Sequence, residues 1–162
     1  MKIRHGMILA AGLGKRMQPL TNKKPKPLLE IGGITLLERA INLLINHGVK
    51  EISVNIHHLG DQIEKYISDL KLEVKIKISN EKDLLLDTGG GVKKGAKEFK
   101  NNPFFVINPD TIWSDRYSEE IKYLPYTWCL IERRLKNPIF KNLNLLFKKH
   151  LKIKKLKKIN NL

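Results

Sequence analysis

Short apolar segments alternate with amphipathic helical ones along most of this chain, and no other feature restricts its fold as strongly. Residues 3–10 read as a first strand. Thr35-Leu36-Leu37-Glu38 has the form of a capping box, in which threonine and glutamate satisfy each other's free backbone N–H groups. It opens a helix with Leu37, Ile41, Leu44 and Ile45 on one face, and Gly48 supplies the stop. Alternating Ile52, Val54 and Ile56 predict a second strand over Glu51–Ile56, and residues 61–70 a second helix with Ile63, Ile67 and Leu70 inward. There follow a third strand over 73–79, a third helix over 90–99 bearing Val92, Ala96 and Phe99, and a fully apolar fourth strand over 104–108. A short helix over 115–124 closes the regular part. Strands separated by helices of this length specify an α/β fold, a Rossmann-like and mostly parallel sheet with helices on both faces. In such sheets the ligand lies outside the carboxyl ends of the strands.

The first strand empties into chemistry suited to an anion. Leu9-Ala10-Ala11-Gly12-Leu13-Gly14-Lys15-Arg16-Met17 sets two glycines one residue apart and then two cations. Lys24-Pro25-Lys26-Pro27-Leu28 holds a further cation between prolines, which stiffen the backbone from which it projects. Glycine lets backbone N–H groups approach a bound oxyanion, and fixed cations balance a polyphosphate such as that of a nucleoside triphosphate. A dinucleotide fingerprint needs a third glycine where Met17 stands, and a Walker A loop needs Ser or Thr where Arg16 stands. The plainer alternative is a glycine-rich turn with surface lysines. Residues 9–17 and 25–29 together resemble the signature of sugar-phosphate nucleotidyltransferases (nucleotide-sugar pyrophosphorylases), L-A-A-G-x-G-x-R-M/L, a short spacer and P-K-P-L-L.

Asp110 ends the run Val106-Ile107-Asn108-Pro109-Asp110, a carboxylate at the mouth of a buried strand. That position suits a hard cation such as Mg²⁺; alternatively Asp110 only starts the turn before Thr111. The second glycine element is Asp87-Thr88-Gly89-Gly90-Gly91-Val92. Three glycines ahead of a helix let a flat base lie on the backbone, offer helix N–H groups to an anion, or make a plain flexible turn. His57 and His58 lack a third ligand at a recognisable spacing, so they are expected to pack near a sugar-phosphate pocket or cap the next helix.

Here the resemblance narrows: residues 55–60 and 81–91 are similar to the N-acetylmuramate-1-phosphate uridylyltransferase branch. It implies that Arg16, Lys26 and Asp110 are catalytic, with Asp110 holding Mg²⁺. It implies that Leu9, Ala10, Ala11, Gly12, Gly14 and Lys15 bind the nucleotide, with Lys15 and Arg16 at the β- and γ-phosphates. Glu81, Gly89 and Gly90 are expected at the nucleobase. Pro109 departs from the small residue the family carries before its aspartate. The implied activity is transfer of a nucleotidyl group, uridylyl by the branch resemblance, from UTP to a sugar-1-phosphate with release of pyrophosphate. That is a step of nucleotide-sugar and cell-wall precursor synthesis. The attacking phosphate is already ionised and needs no general base, in keeping with the lack of any Ser-His-Asp or Cys-His constellation.

At 162 residues the chain suits one domain with its own core. Its formal charge of +15 is unevenly spread. From Arg133 onward there are eleven Lys or Arg and no acid, which leaves 20 basic against 16 acidic residues elsewhere. No RNA-binding motif or aromatic ladder accompanies the basic run, which argues against a nucleic-acid partner. No apolar stretch reaches the roughly 18 residues of a membrane span. With no signal-peptide pattern at the N-terminus and a lone Cys129, a cytoplasmic location is expected. The resemblance ends near residue 124, so 1–124 reads as a partial nucleotidyltransferase domain and 125–162 as a basic tail. The family's later strands and second metal-binding aspartate have no counterpart there, and the C-terminal part of the fold is expected to be incomplete. A second reading therefore stands beside the enzyme: an inactive remnant that binds nucleotide, or a basic binding protein dominated by its tail. The residues specify neither the sugar, nor UTP over dTTP or GTP, nor an oligomeric state.

Overall fold

The computed structural model describes residues 3–100 and 102–111. Its elements are β1 (His5–Leu9), the hairpin strands β2 (Glu30–Ile31) and β3 (Ile34–Thr35), α1 (Leu36–Asn46), β4 (Glu51–Ile56), α2 (Gly60–Asp69), β5 (Lys75–Asn80), α3 (Thr88–Gly95) and β6 (Phe104–Ile107). Single 3₁₀ turns at Lys15–Met17, Leu20–Asn22 and Lys26–Leu28 fill the stretch between β1 and β2, and another at Ala96–Phe99 extends α3. β5, β4, β1 and β6 pair in that order, all parallel, as one four-stranded sheet. The strand–helix alternation has produced the expected Rossmann-like layering. None of the described helices is long and apolar enough to cross a membrane.

Alternate residues of each strand point to opposite faces, and both faces are covered. On one, Ile8, Ala10, Ile52, Val54 and Ile56 join Leu37, Ala40, Ile41 and Leu44 of α1 and Ile63 of α2 in one buried core. Each such aliphatic side chain of valine size or larger contributes about 1.5–3 kcal/mol on burial. One half of the capping box forms as expected, with Thr35 Oγ1 accepting from the Glu38 N–H at 3.0 Å, while the Glu38 carboxylate accepts from the Tyr66 hydroxyl at 2.7 Å. On the other face α3 presses close. A Cβ placed on Gly95 would lie 2.6 Å from Met7 Cε and 3.0 Å from Ser53 Oγ, so a larger residue would require Met7 to shift. Gly6 is likewise close to α1, where a Cβ would meet Leu44 Cδ1 at 2.7 Å.

The third helix differs from its sequence expectation. It runs over Thr88–Gly95 and not 90–99, so Gly89 joins Gly90 and Gly91 inside its first turn, and Ala96–Phe99 is a 3₁₀ turn. Glycine costs a helix interior about 1 kcal/mol relative to alanine, which is why local propensity points to a turn. Packing against the sheet outweighs that cost here. The β2–β3 hairpin and the 3₁₀ turns carry too few residues to show a period. The helix expected over 115–124, Cys129 and the basic tail over 125–162 lie outside the described residues.

Candidate active site

The loop after β1 is built for close approach. Ala10 and Ala11 are buried, whereas Gly12 is exposed, and a Cβ built on it would meet no atom within 4 Å. Gly14 has φ 64° and ψ 17°, left-handed values that an L side chain resists. A Cβ there would also lie 2.9 Å from Thr21 Cγ2 and 3.3 Å from Lys26 Cβ. Lys15 and Arg16 follow in an exposed 3₁₀ turn. The returning chain is pinned at several points. The buried Thr21 hydroxyl donates to the Gly14 carbonyl at 3.0 Å, and His58 Nε2–H donates to the Thr21 carbonyl at 3.1 Å. Gln62 Nε2–H donates to the Lys23 carbonyl at 3.0 Å.

Lys26 projects from the Pro25–Pro27 turn and forms an ion pair with Asp110, 84 residues away. Their side chains are 25% and 38% exposed, so the pair is half in water and open to exchange with a ligand. β1 and β6 are sheet neighbours, which brings the glycine loop and Asp110 to one edge of the molecule. A side chain at Gly14 would crowd the stem of Lys26, and Lys26 pairs with Asp110. Three sequence-named groups therefore meet in one place.

The second glycine element is tied to the first from inside. Asn55, at the carboxyl end of β4, accepts the Ala10 N–H at 2.7 Å and donates through Nδ2 to Glu81 Oε1 at 2.8 Å. The other Glu81 oxygen accepts the Leu86 N–H at 3.0 Å, just ahead of α3. Glu81 is 1% exposed, with both carboxylate oxygens engaged by the protein. Its carboxylate is thus bonded inside the protein, while Gly89 and Gly90 are half-buried at the helix start. Neither histidine caps α2, because Leu59 occupies its N-cap position with φ 51°. His57 Nδ1–H donates instead to the Glu81 carbonyl at 2.8 Å. Asn55 and Thr21 were not foreseen as site-building residues, and the histidines, expected near the pocket, anchor the chain around it. Ser53 and Asn55 alternating with the apolar residues of β4 were the available signal, since a polar side chain inside a buried parallel strand needs a partner.

The described residues include no group of three or more His, Cys, Asp or Glu able to hold a metal by themselves. Asp110 supplies one hard oxygen donor at a half-exposed strand mouth. Mg²⁺ takes few protein carboxylates and fills its shell with water and substrate phosphate oxygens, so this donor fits an ion arriving with a polyphosphate.

The Nucleotidyl transferase family profile matches residues 5–124. N-acetylmuramate alpha-1-phosphate uridylyltransferase of Caulobacter vibrioides is 36% identical over 125 residues, covering 75% of this chain and 52% of that protein. The protein of the same name from Neisseria meningitidis serogroup B is 40% identical over 107 residues, covering 65% and 46%. Among solved structures, HddC from Yersinia pseudotuberculosis complexed with GMP-PN superposes with a TM-score of 0.61 at 31% identity, covering 74% of this chain and 53% of that one. The chain spans about half the length of these relatives. The matched region holds every described strand and helix together with the glycine loop, Lys26 and Asp110, and the chain belongs to the nucleotidyl transferase family.

Proposed function

We propose that this protein transfers a nucleotidyl group from a nucleoside triphosphate to a sugar-1-phosphate. The observation that carries the reading is the contiguity of Gly14, Lys26 and Asp110 at the carboxyl ends of β1 and β6. A sugar-1-phosphate oxygen attacks the α-phosphorus, the α–β bridging P–O bond breaks, and its electron pair leaves with pyrophosphate. The backbone at Gly12 and Gly14 receives the phosphates, and Lys15 and Arg16 take up charge on the β- and γ-groups. Lys26 exchanges Asp110 for a phosphate oxygen as the ligand arrives. Once the ligand is bound these groups are held around it, so they stabilise developing charge in the chemical step without further reorganisation. Asp110 is the residue that would hold Mg²⁺, which when bound neutralises polyphosphate charge. Leu9, Ala10 and Ala11 carry the loop, and Gly89 and Gly90 offer backbone to the base.

Uridylyl transfer to N-acetylmuramate-1-phosphate is the preferred specificity, supported by the names of the two curated relatives. The GMP-PN complex of HddC makes a guanine nucleotide the alternative to be tested beside it. With Mg²⁺, UTP and N-acetylmuramate-1-phosphate, pyrophosphate should be released by the full chain, and faster than with GTP or dTTP. Absence of release with every nucleotide and sugar-1-phosphate tried, together with no nucleotide-induced rise in Tm, would overturn the reading. A rise in Tm without release would mark a nucleotide-binding protein without turnover.

A further inference from the structure

Asn55 and Glu81 face one another between the sheet and α3, with 4% and 1% of their surface exposed. Three hydrogen bonds run through them in series, from the Ala10 N–H to Asn55 Oδ1, from Asn55 Nδ2 to Glu81 Oε1, and from the Leu86 N–H to Glu81 Oε2. A backbone N–H only donates, so the Ala10 N–H takes Asn55 Oδ1 and leaves the amide Nδ2 to face Glu81, and the Asn55 amide has one permitted orientation. α3 rests on the same pair. A Cβ on Gly91 would lie 2.8 Å from Asn55 Nδ2 and 3.0 Å from Glu81 Oε1. The main chain of Glu81 is held as well, its N–H donating to the Ile56 carbonyl at 2.8 Å and its carbonyl accepting from His57.

We propose that Asn55 and Glu81 are positioning residues that hold the phosphate loop at a set distance from the glycine-rich start of α3. The inference rests on the nucleotide reading of the site, because that distance matters only if one ligand bridges both elements. Glu81 then acts through Asn55 and Leu86 and makes no contact with the base. Its chemistry is specific. Glu81→Gln converts one acceptor into a donor, which must confront either Asn55 Nδ2 or the Leu86 N–H. Asn55→Asp sets two acceptors face to face. Combined, the two changes restore the whole series. The new carboxylate at position 55 accepts from Ala10 and from the new amide at position 81, whose oxygen accepts from Leu86.

Amide hydrogen exchange at Ala10 and Leu86, and the Kd for Mg²⁺-UTP well below Tm, test this in the full chain. Glu81→Gln should speed exchange at Ala10, a residue that Glu81 does not touch, and Asn55→Asp should do the same. Each single change should raise the Kd about ten-fold, the scale of one buried group left without its partner. The double variant should return both readouts close to wild type. Wild-type exchange at Ala10 in Glu81→Gln, or a double variant no better than the singles, would overturn the proposal. If a single variant does not fold, Gly91→Ala takes its place, because alanine favours the helix while its methyl presses on the pair. Faster exchange at Ala10 supports the proposal there too, and unchanged exchange overturns it. A wild-type chain that binds no nucleotide would sink the functional reading, whereas the exchange measurements decide the positioning of the loop independently.

Discussion

Lys26 illustrates how much of a functional residue is local. Two prolines flank it in a 3₁₀ turn, and its ammonium is engaged over long range, with Asp110. A half-exposed ion pair contributes no more than about 1 kcal/mol to folding. A charge-assisted bond to phosphate is worth about 1.5–3 kcal/mol in a closed site. Lys26→Ala should therefore leave the ligand-free Tm nearly unchanged while weakening Mg²⁺-UTP binding at least about ten-fold, read as a smaller ligand-induced rise in Tm. A large loss of ligand-free stability with unaltered binding would contradict this. Asp110 was legible because it stands beside a recognisable strand end, and Lys26 because two prolines flank it. Glu81 was legible as a residue but not in its setting, since its partner Asn55 lies on another strand, 26 residues away. Sequence neighbours say nothing about that bond.

Among the elements, α1 and α3 mark the two extremes of legibility. Four residues announce α1, and the Thr35 to Glu38 bond is one of the two its capping box specifies. Thr35→Ala should cost about 1 kcal/mol, measured by urea unfolding, as removal of an N-cap does. The Thr35 hydroxyl also meets Tyr66 Oη at 3.2 Å, so the loss should not fall below that figure. α3 has no such announcement. Its glycines answer to Asn55, Glu81, Met7 and Ser53, which only the assembled sheet brings near. A third group joins strand to helix on the surface, where Lys77 of β5 pairs with Glu98 at 2.5 Å and Glu51 at 3.1 Å. The hydrogen bond from Lys77 holds the Glu98 carboxyl below its usual value, and the same bond raises Lys77. A depressed carboxylate stabilises the fold above its unfolded pKa, and this is lost as the pH falls through the folded one. Lys77→Ala should therefore lower Tm slightly at pH 7, and the gap to wild type should close on acidification through the carboxylate range. A gap that persists at pH 3 would show that the ion pair is not its source.

For the whole molecule, the alternation of periods was enough to specify layers and parallel strands. It could not specify which strands are neighbours, because each crossover helix connects equally well to either side of a sheet. The order β5, β4, β1, β6 puts the first strand in the interior and the last described strand beside it. That order has a consequence for biosynthesis. β1 leaves the ribosome first and can pair with β4 on one side, but its other edge stays open until the chain through Ile107 has emerged. At about 5–20 residues per second, the nascent protein carries this unpaired apolar edge for several seconds. Lys26 waits equally long for Asp110. Until then the newborn chain presents a strand that any neighbouring chain could extend.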